Sequence, residues 1–137
     1  MIKLGTMVRF SHETQGLGEL KTAFENVKKY GLPTCQLCCW DMSKFTDENA
    51  AGIREIVKET GVEISAFWCG WEVSPTWDFI DGYHTIGLVP IAYRARRVQN
   101  LKDGSDFAKK IGVKYVATHV GFLPENQKTD EYTAVVE

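Results

Sequence analysis

Lys109-Lys110-Ile111-Gly112-Val113-Lys114-Tyr115-Val116 reads as the end of a helix followed by the start of a strand. The same phrase occurs twice earlier, as Lys28-Lys29-Tyr30-Gly31-Leu32-Pro33-Thr34-Cys35 and Lys58-Glu59-Thr60-Gly61-Val62-Glu63-Ile64-Ser65. In each copy a lysine falls in the last helical turn, where a cation suits the negative end of the helix dipole. The glycine just beyond can take the left-handed conformation that closes a helix. Three such junctions in 137 residues predict repeating α/β units built on a parallel sheet. In that architecture functional groups collect at the carboxyl ends of the strands.

Working outward, residues 2–10 read as a first strand and 11–18 as a polar loop. Leu17, Leu20, Phe24 and Val27 recur at helical spacing until Gly31 stops them. Residues 34–40 form the second strand. Thr46 or Asp47 caps the next helix, whose apolar face is Ala50, Ile53, Ile56 and Val57 and whose end is Gly61. The third strand, 63–69, is nearly continuously apolar, as suits a strand covered on both faces.

Gly31 and Gly61 are 30 residues apart and Gly61 and Gly112 are 51 apart, so the third unit carries a long insertion. It covers residues 70–90 and holds Trp71, Pro75, Trp77, Phe79, Tyr83 and His84, too aromatic for a solvated linker. A lid or binding loop is expected there. A helix over 91–111 follows, with Val98, Leu101, Ala108 and Ile111 as its buried stripe and Gly104 as a weak point. The fourth strand is 114–120, and a last helix begins near Thr129. The reading is one partial domain, 1–137, truncated in its fourth helix.

A hydrophobic fraction of 44%, a charged fraction of 25% and a net charge of −2 describe an ordinary globular chain. Acids and bases are interspersed, so neither nucleic acid nor an anionic membrane is an expected partner. No apolar run approaches the roughly 20 residues that span a bilayer, nor does the start resemble a signal peptide; a cytoplasmic location is expected. Cys35-Gln36-Leu37-Cys38-Cys39 contains a CxxC spacing. Strand alternation puts Cys35 and Cys39 on one face and Cys38 on the other, so they do not converge, and Cys69 stands alone. Small buried thiols in a reducing compartment are expected. Gly16-Leu17-Gly18 lacks the third glycine and downstream acid of a dinucleotide fingerprint.

Five further stretches carry a resemblance: Gly70-Trp71, Trp77-Asp78-Phe79, Ile86-Gly87-Leu88-Val89-Pro90, Arg94 with Arg97-Val98, and residues 118–125, Thr-His-Val-Gly-Phe-Leu-Pro-Glu. Through them the sequence resembles the sugar phosphate isomerase/epimerase family, the xylose isomerase-like branch of TIM barrels, which also resembles apurinic-site endonucleases. The resemblance implies an eight-stranded (β/α) barrel of about 250 residues, with this chain as its front half of four strands and three helices. It implies a sugar or sugar phosphate substrate, proton transfer beside the sugar carbonyl, and a divalent metal. In the family, two glutamates, an aspartate and a histidine from later strands hold that metal. No positions here match them, so no metal ligand is assigned and no metal is expected on this chain alone.

What the resemblance does carry over is a pocket wall: Phe10 and His12 after strand one, Trp40 and Asp41 at the end of strand two, Trp71 and Glu72 after strand three, and His119 at the end of strand four. His119 is the catalytic candidate, and Phe10, Trp40, Trp71, Glu72 and His119 are the substrate-binding candidates. A neutral imidazole at a strand end either exchanges hydrogen bonds with a substrate oxygen or is satisfied inside the barrel mouth. Trp71 and Trp77 either stack on a sugar or anchor the loop by burial. His12 and His84 lie in polar loops and carry no assignment. Arg94, Arg96 and Arg97 could fork onto phosphate, but at least two are expected to point outward or pair with acids such as Asp103.

Three functions compete on this reading. The first is the substrate-facing half of a sugar isomerase or epimerase. The second is a noncatalytic half-barrel that binds a small polyol or self-associates as a homodimer covering its open strand edges. The third is a small flavodoxin-like module, which ranks last because only four strands and no phosphate loop are found.

Overall fold

A computed structural model describes residues 2–11 and 16–136. The order of strands across the sheet is their order in the chain: β1 (Gly5–Arg9), β2 (Thr34–Cys39), β3 (Glu63–Cys69) and β4 (Val116–Ala117). All three pairings are parallel. Helices α1 (Leu17–Lys29), α2 (Asp47–Thr60) and α4 (Ile91–Lys110) connect them; α3 (Gly82–Thr85) lies in the long loop and α5 (Asp130–Val136) follows β4.

The junction glycines act as the sequence implied, with Gly31, Gly61 and Gly112 at φ 72°, 72° and 78°. Thr46 caps α2 by accepting the Asn49 N–H at 3.1 Å, an interaction worth about 1 kcal/mol.

A strand order that never reverses puts successive crossover helices on one side of the sheet. The core bears this out. Val8, Phe10, Cys35, Leu37, Cys39, Ile64, Phe67 and Cys69 face the helices and form one buried cluster with Leu20, Phe24, Ile53, Ile56, Phe107 and Ile111. Each large apolar side chain so buried contributes roughly 1.5–3 kcal/mol. Phe45 stacks on Phe107 at 4.9 Å between ring centroids and meets Phe67 edge-on at 5.6 Å. With α1, α2 and α4 packed on one face and no reversal of order among the described strands, the doubly wound flavodoxin-like alternative does not fit. This is a parallel α/β segment of a barrel.

Several boundaries differ from the sequence reading. β1 begins at Gly5, and Ile2 and Leu4 before it are 91% and 72% exposed. β4 is two residues long because it is an edge, bonded on one side to Phe67 and Trp68. In α4 the buried face is Arg97, Asn100, Gly104, Phe107 and Ala108, while Val98 and Leu101 are only half-buried. Gly104 sits on that buried face, where a Cβ would overlap the Cys69 sulfur. β3 contains a bulge: Cys35 pairs with Ile64 and Gln36 with Ala66, so Ser65 is unmatched and its hydroxyl donates to the Cys35 carbonyl at 3.0 Å.

Candidate functional site

The face of the sheet opposite the helices forms a cleft. Alternation along the strands sends Met7 and Arg9 inward from β1, Cys38 from β2 and Trp68 from β3, with Ser11, Trp40 and His119 just beyond the strand ends. Pro75 and Trp77 of the long loop complete a cavity of about 500 Å³.

Its mouth is aromatic. Trp77, 58% exposed, meets Trp40 edge-on at 6.1 Å and His119 at 5.2 Å between ring centroids. Trp40 leans on Trp71 at 4.6 Å. Gly70 makes room for Trp40, whose indole occupies the place a Cβ would take. His119 is half-buried, and its Nδ1 accepts the Gly121 N–H at 3.2 Å. A neutral ring bonded in that way carries its proton on Nε2 and so offers a donor. One residue earlier, Thr118 fastens this strand end to β3 by donating to the Cys69 carbonyl at 2.9 Å.

The long loop is tied down rather than loose. The Asp78 carboxylate accepts N–H groups of Ile80, Asp81 and Gly82 at 2.8, 2.6 and 3.3 Å. Those bonds hold its carboxyl below the usual range. Thr85 Oγ1 accepts the Thr76 N–H at 3.0 Å. On the cleft wall, burial pushes the Cys38 thiol pKa up, opposed by a hydrogen bond with Trp40 and by the charge of Arg9.

Of the residues expected from sequence, Trp40 and His119 line this cavity. Phe10 does not: it is 0% exposed and packs in the helix-side core. Its neighbours Arg9 and Ser11 take the place assigned to it. Trp71, Glu72 and Asp41 line a separate cleft of about 520 Å³ beside Trp40. Trp71 is 2% exposed with the Arg97 guanidinium 5.1 Å from its ring, which is loop anchoring. Glu72 pairs with Arg96 and donates its N–H to Asn100 Oδ1 at 3.1 Å. Asp41 Oδ1 accepts from the Ser43 backbone N–H at 3.0 Å and hydroxyl at 2.6 Å, capping the turn Met42–Lys44. His84 is exposed on α3, edge-on to Tyr83 at 5.1 Å, and His12 lies outside the described residues.

The arginines also depart from expectation. Only Arg96 points outward to an acid, and that acid is Glu72. Arg94 donates to the carbonyls of Leu88, Val89 and Ala134 at 2.8, 2.6 and 3.1 Å. Arg97 is buried on loop carbonyls, and Asp103 is held by Gln99 at 2.8 Å. Met7, Arg9, Cys38 and Trp68 were missed, although strict alternation from Met7 to Ser11 would have found the first two. All four cysteines are unpaired and buried. Among the described residues, no three His, Cys, Asp or Glu side chains lie close enough to hold a metal ion, and no helix is long and apolar enough to cross a membrane.

The sequence matches no family model and no curated protein. The crystal structure of a xylose isomerase domain protein from Planctomyces limnophilus does match, with a TM-score of 0.82 and 25% identity over 98% of this chain and 46% of that one. The fold is that of about half of a xylose isomerase-like barrel. The crystal structure of a D-psicose 3-epimerase in the presence of D-fructose shares it, with a TM-score of 0.58 and 14% identity over 98% of this chain and 45% of that one. The chain thus spans less than half the length of either xylose isomerase-like structure. Its aromatic cleft lies at the carboxyl ends of the strands, the face where barrels of this type place their sites.

Proposed function

We propose that this chain is the sugar-facing half of an isomerase or epimerase acting on a sugar or sugar phosphate, whose parent reaction is proton transfer beside the sugar carbonyl. The observation that carries the proposal is the meeting of Trp40, Trp77 and His119 at one cleft mouth. Exposed indole faces suit the C–H face of a sugar ring. The Nε2–H of His119 donates to a hydroxyl or carbonyl oxygen, and Arg9 adds the one cation among the cavity-lining residues. As that lining cation, Arg9 is the group that would meet the phosphate of a phosphorylated sugar.

A divalent metal would, when bound, polarise the sugar carbonyl. The described residues do not fit one, lacking any group of three suitable ligands, so this chain is given a substrate-binding role and no metal ligand. Its four unpaired buried thiols suit a reducing compartment such as the cytoplasm.

Titration calorimetry with D-fructose and D-fructose 6-phosphate tests the reading. Binding of one of them, weakened about ten-fold by Trp77→Ala, is the expected result. Binding of neither, or binding indifferent to Trp77, overturns it.

A second reading rests on the two edges of the sheet, β1 and β4, which no other described strand pairs. Leu4 and Ile2 beside β1 and Tyr115 beside β4 are 72%, 91% and 70% exposed, and uncovered edges template further pairing. A second copy pairing its β1 with β4 would close eight parallel strands into a homodimer. A light-scattering mass of one monomer rules this reading out; a dimer mass supports it.

A further inference from the structure

Arg97 is 1% exposed, and its guanidinium reaches both ends of the long loop. Nη1 donates to the Gly87 carbonyl at 2.6 Å, Nη2 to that of Val73 at 3.3 Å and Nε to that of Glu72 at 3.4 Å. Its guanidinium carbon lies over the rings of Trp71 and Tyr93, 5.1 and 4.8 Å from their centroids. A planar fork of fixed donors is suited to gathering several carbonyls at once, where an ammonium group is not.

Both ends lead to the cleft. Beyond Val73 the loop carries Pro75 and Trp77. Gly87, at φ 75°, lies against the Val120 backbone so closely that a Cβ would overlap its carbonyl. The N–H groups of Leu88 and Val89 donate to the same carbonyl at 2.6 and 3.3 Å, and Val120 follows His119. Val73 is the one non-glycine residue with positive φ among those described, at 71°. A β-branched residue holds that conformation only where its surroundings over-determine it, and Arg97 grips its carbonyl.

We propose that Arg97 is the positioning residue of the cleft, a single fork that fixes the Trp77-bearing loop against the strand end that carries His119. It touches no ligand and sets the spacing of the two walls that do. Only its ligand arm rests on the sugar-binding reading.

The test is hydrogen exchange read by mass spectrometry on the full chain, comparing wild type with Arg97→Lys, which keeps the charge and loses the fork. Exchange over residues 72–87 should quicken about ten-fold while β1, α1 and β2 stay unchanged, and affinity for D-fructose should fall by a similar factor. Unchanged exchange over 72–87, or quickening of every segment together, overturns the proposal. Should Arg97→Lys fail to fold, wild-type exchange in graded urea decides it. The Glu72 and Leu88 amides, at the two ends of the loop, must then open with one urea dependence, and two different dependences overturn the proposal. Binding of neither D-fructose nor D-fructose 6-phosphate by wild type would sink the sugar reading and leave the exchange result to decide this one.

Discussion

Gly104 of α4 rests directly on Cys69 of β3, with the sulfur where a glycine Cβ would be. This contact sets how near the third crossover helix can come to the sheet. Overpacking costs about 1–3 kcal/mol against the roughly 1 kcal/mol that alanine gains in helix propensity, so Gly104→Ala should destabilise the chain by up to about 2 kcal/mol net. Urea denaturation of Gly104→Ala, Cys69→Ala and the double variant checks this. The two substitutions should couple by about 1 kcal/mol or more, and simple additivity would show that the contact is not what limits the approach.

His119 presents two nitrogens with different duties. Asn at this position can still accept the Gly121 N–H but cannot reach into the cleft, whereas Gln can reach the Nε2 position and loses the backbone bond. Asn is thus expected to keep stability within about 0.5 kcal/mol and lose most D-fructose affinity; Gln is expected to keep more affinity and be the less stable variant. Calorimetric scans paired with binding titrations would reveal a reversed order, which is incompatible with a donating Nε2.

Burial pushes the thiols of Cys35, Cys39 and Cys69 up to about 12 from an ordinary 9.0. Between these values the unfolded chain gives up protons that the folded chain retains, so stability is full below about pH 9 and is lost as pH rises toward 12. Urea midpoints at pH 8 and pH 10.5 should differ in that direction, with Cys35→Ala giving a flatter profile. Iodoacetamide at pH 8 should leave these three thiols unmodified until urea unfolds the chain.

Val73 offers a gain. Its left-handed backbone at φ 71° is costly for a β-branched residue, and its side chain is 46% exposed, so little burial is lost on replacing it. Val73→Asn should stabilise by about 0.5–1 kcal/mol and raise the melting temperature by a few degrees in differential scanning calorimetry. A lower melting temperature would mean that the valine packing outweighs the strain.

The sequence was most informative where chemistry is local. Lysine, glycine and an apolar run mark the ends of α1, α2 and α4 because dipole, left-handed cap and strand entry involve only nearby residues. Phe10 was misplaced for the opposite reason: which face of β1 is inside depends on what packs behind it, and the helix layer took Val8 and Phe10, leaving Met7 and Arg9 to the cleft. At least two of Arg94, Arg96 and Arg97 read as outward-pointing cations because a one-dimensional pattern cannot foresee a folded-back loop whose carbonyls need donors. Trp77, rather than Trp71, proved the exposed member at the mouth, since Arg97 and Trp40 claim the faces of Trp71. The shortness of β4 reflects pairing on a single side, again a tertiary matter.

The bulge at Ser65 has a consequence for chain length. β3 has seven residues where β2 has six, and the partners on either side of Ser65 are already in step, Ile64 with Cys35 and Ala66 with Gln36. Ser65 is therefore slack in the strand. Deleting its codon would straighten β3 and leave Trp68 in the cleft and Phe67 under the helices, whereas a deletion at any neighbouring ladder position would have to shift into the bulge or turn those two aromatics over.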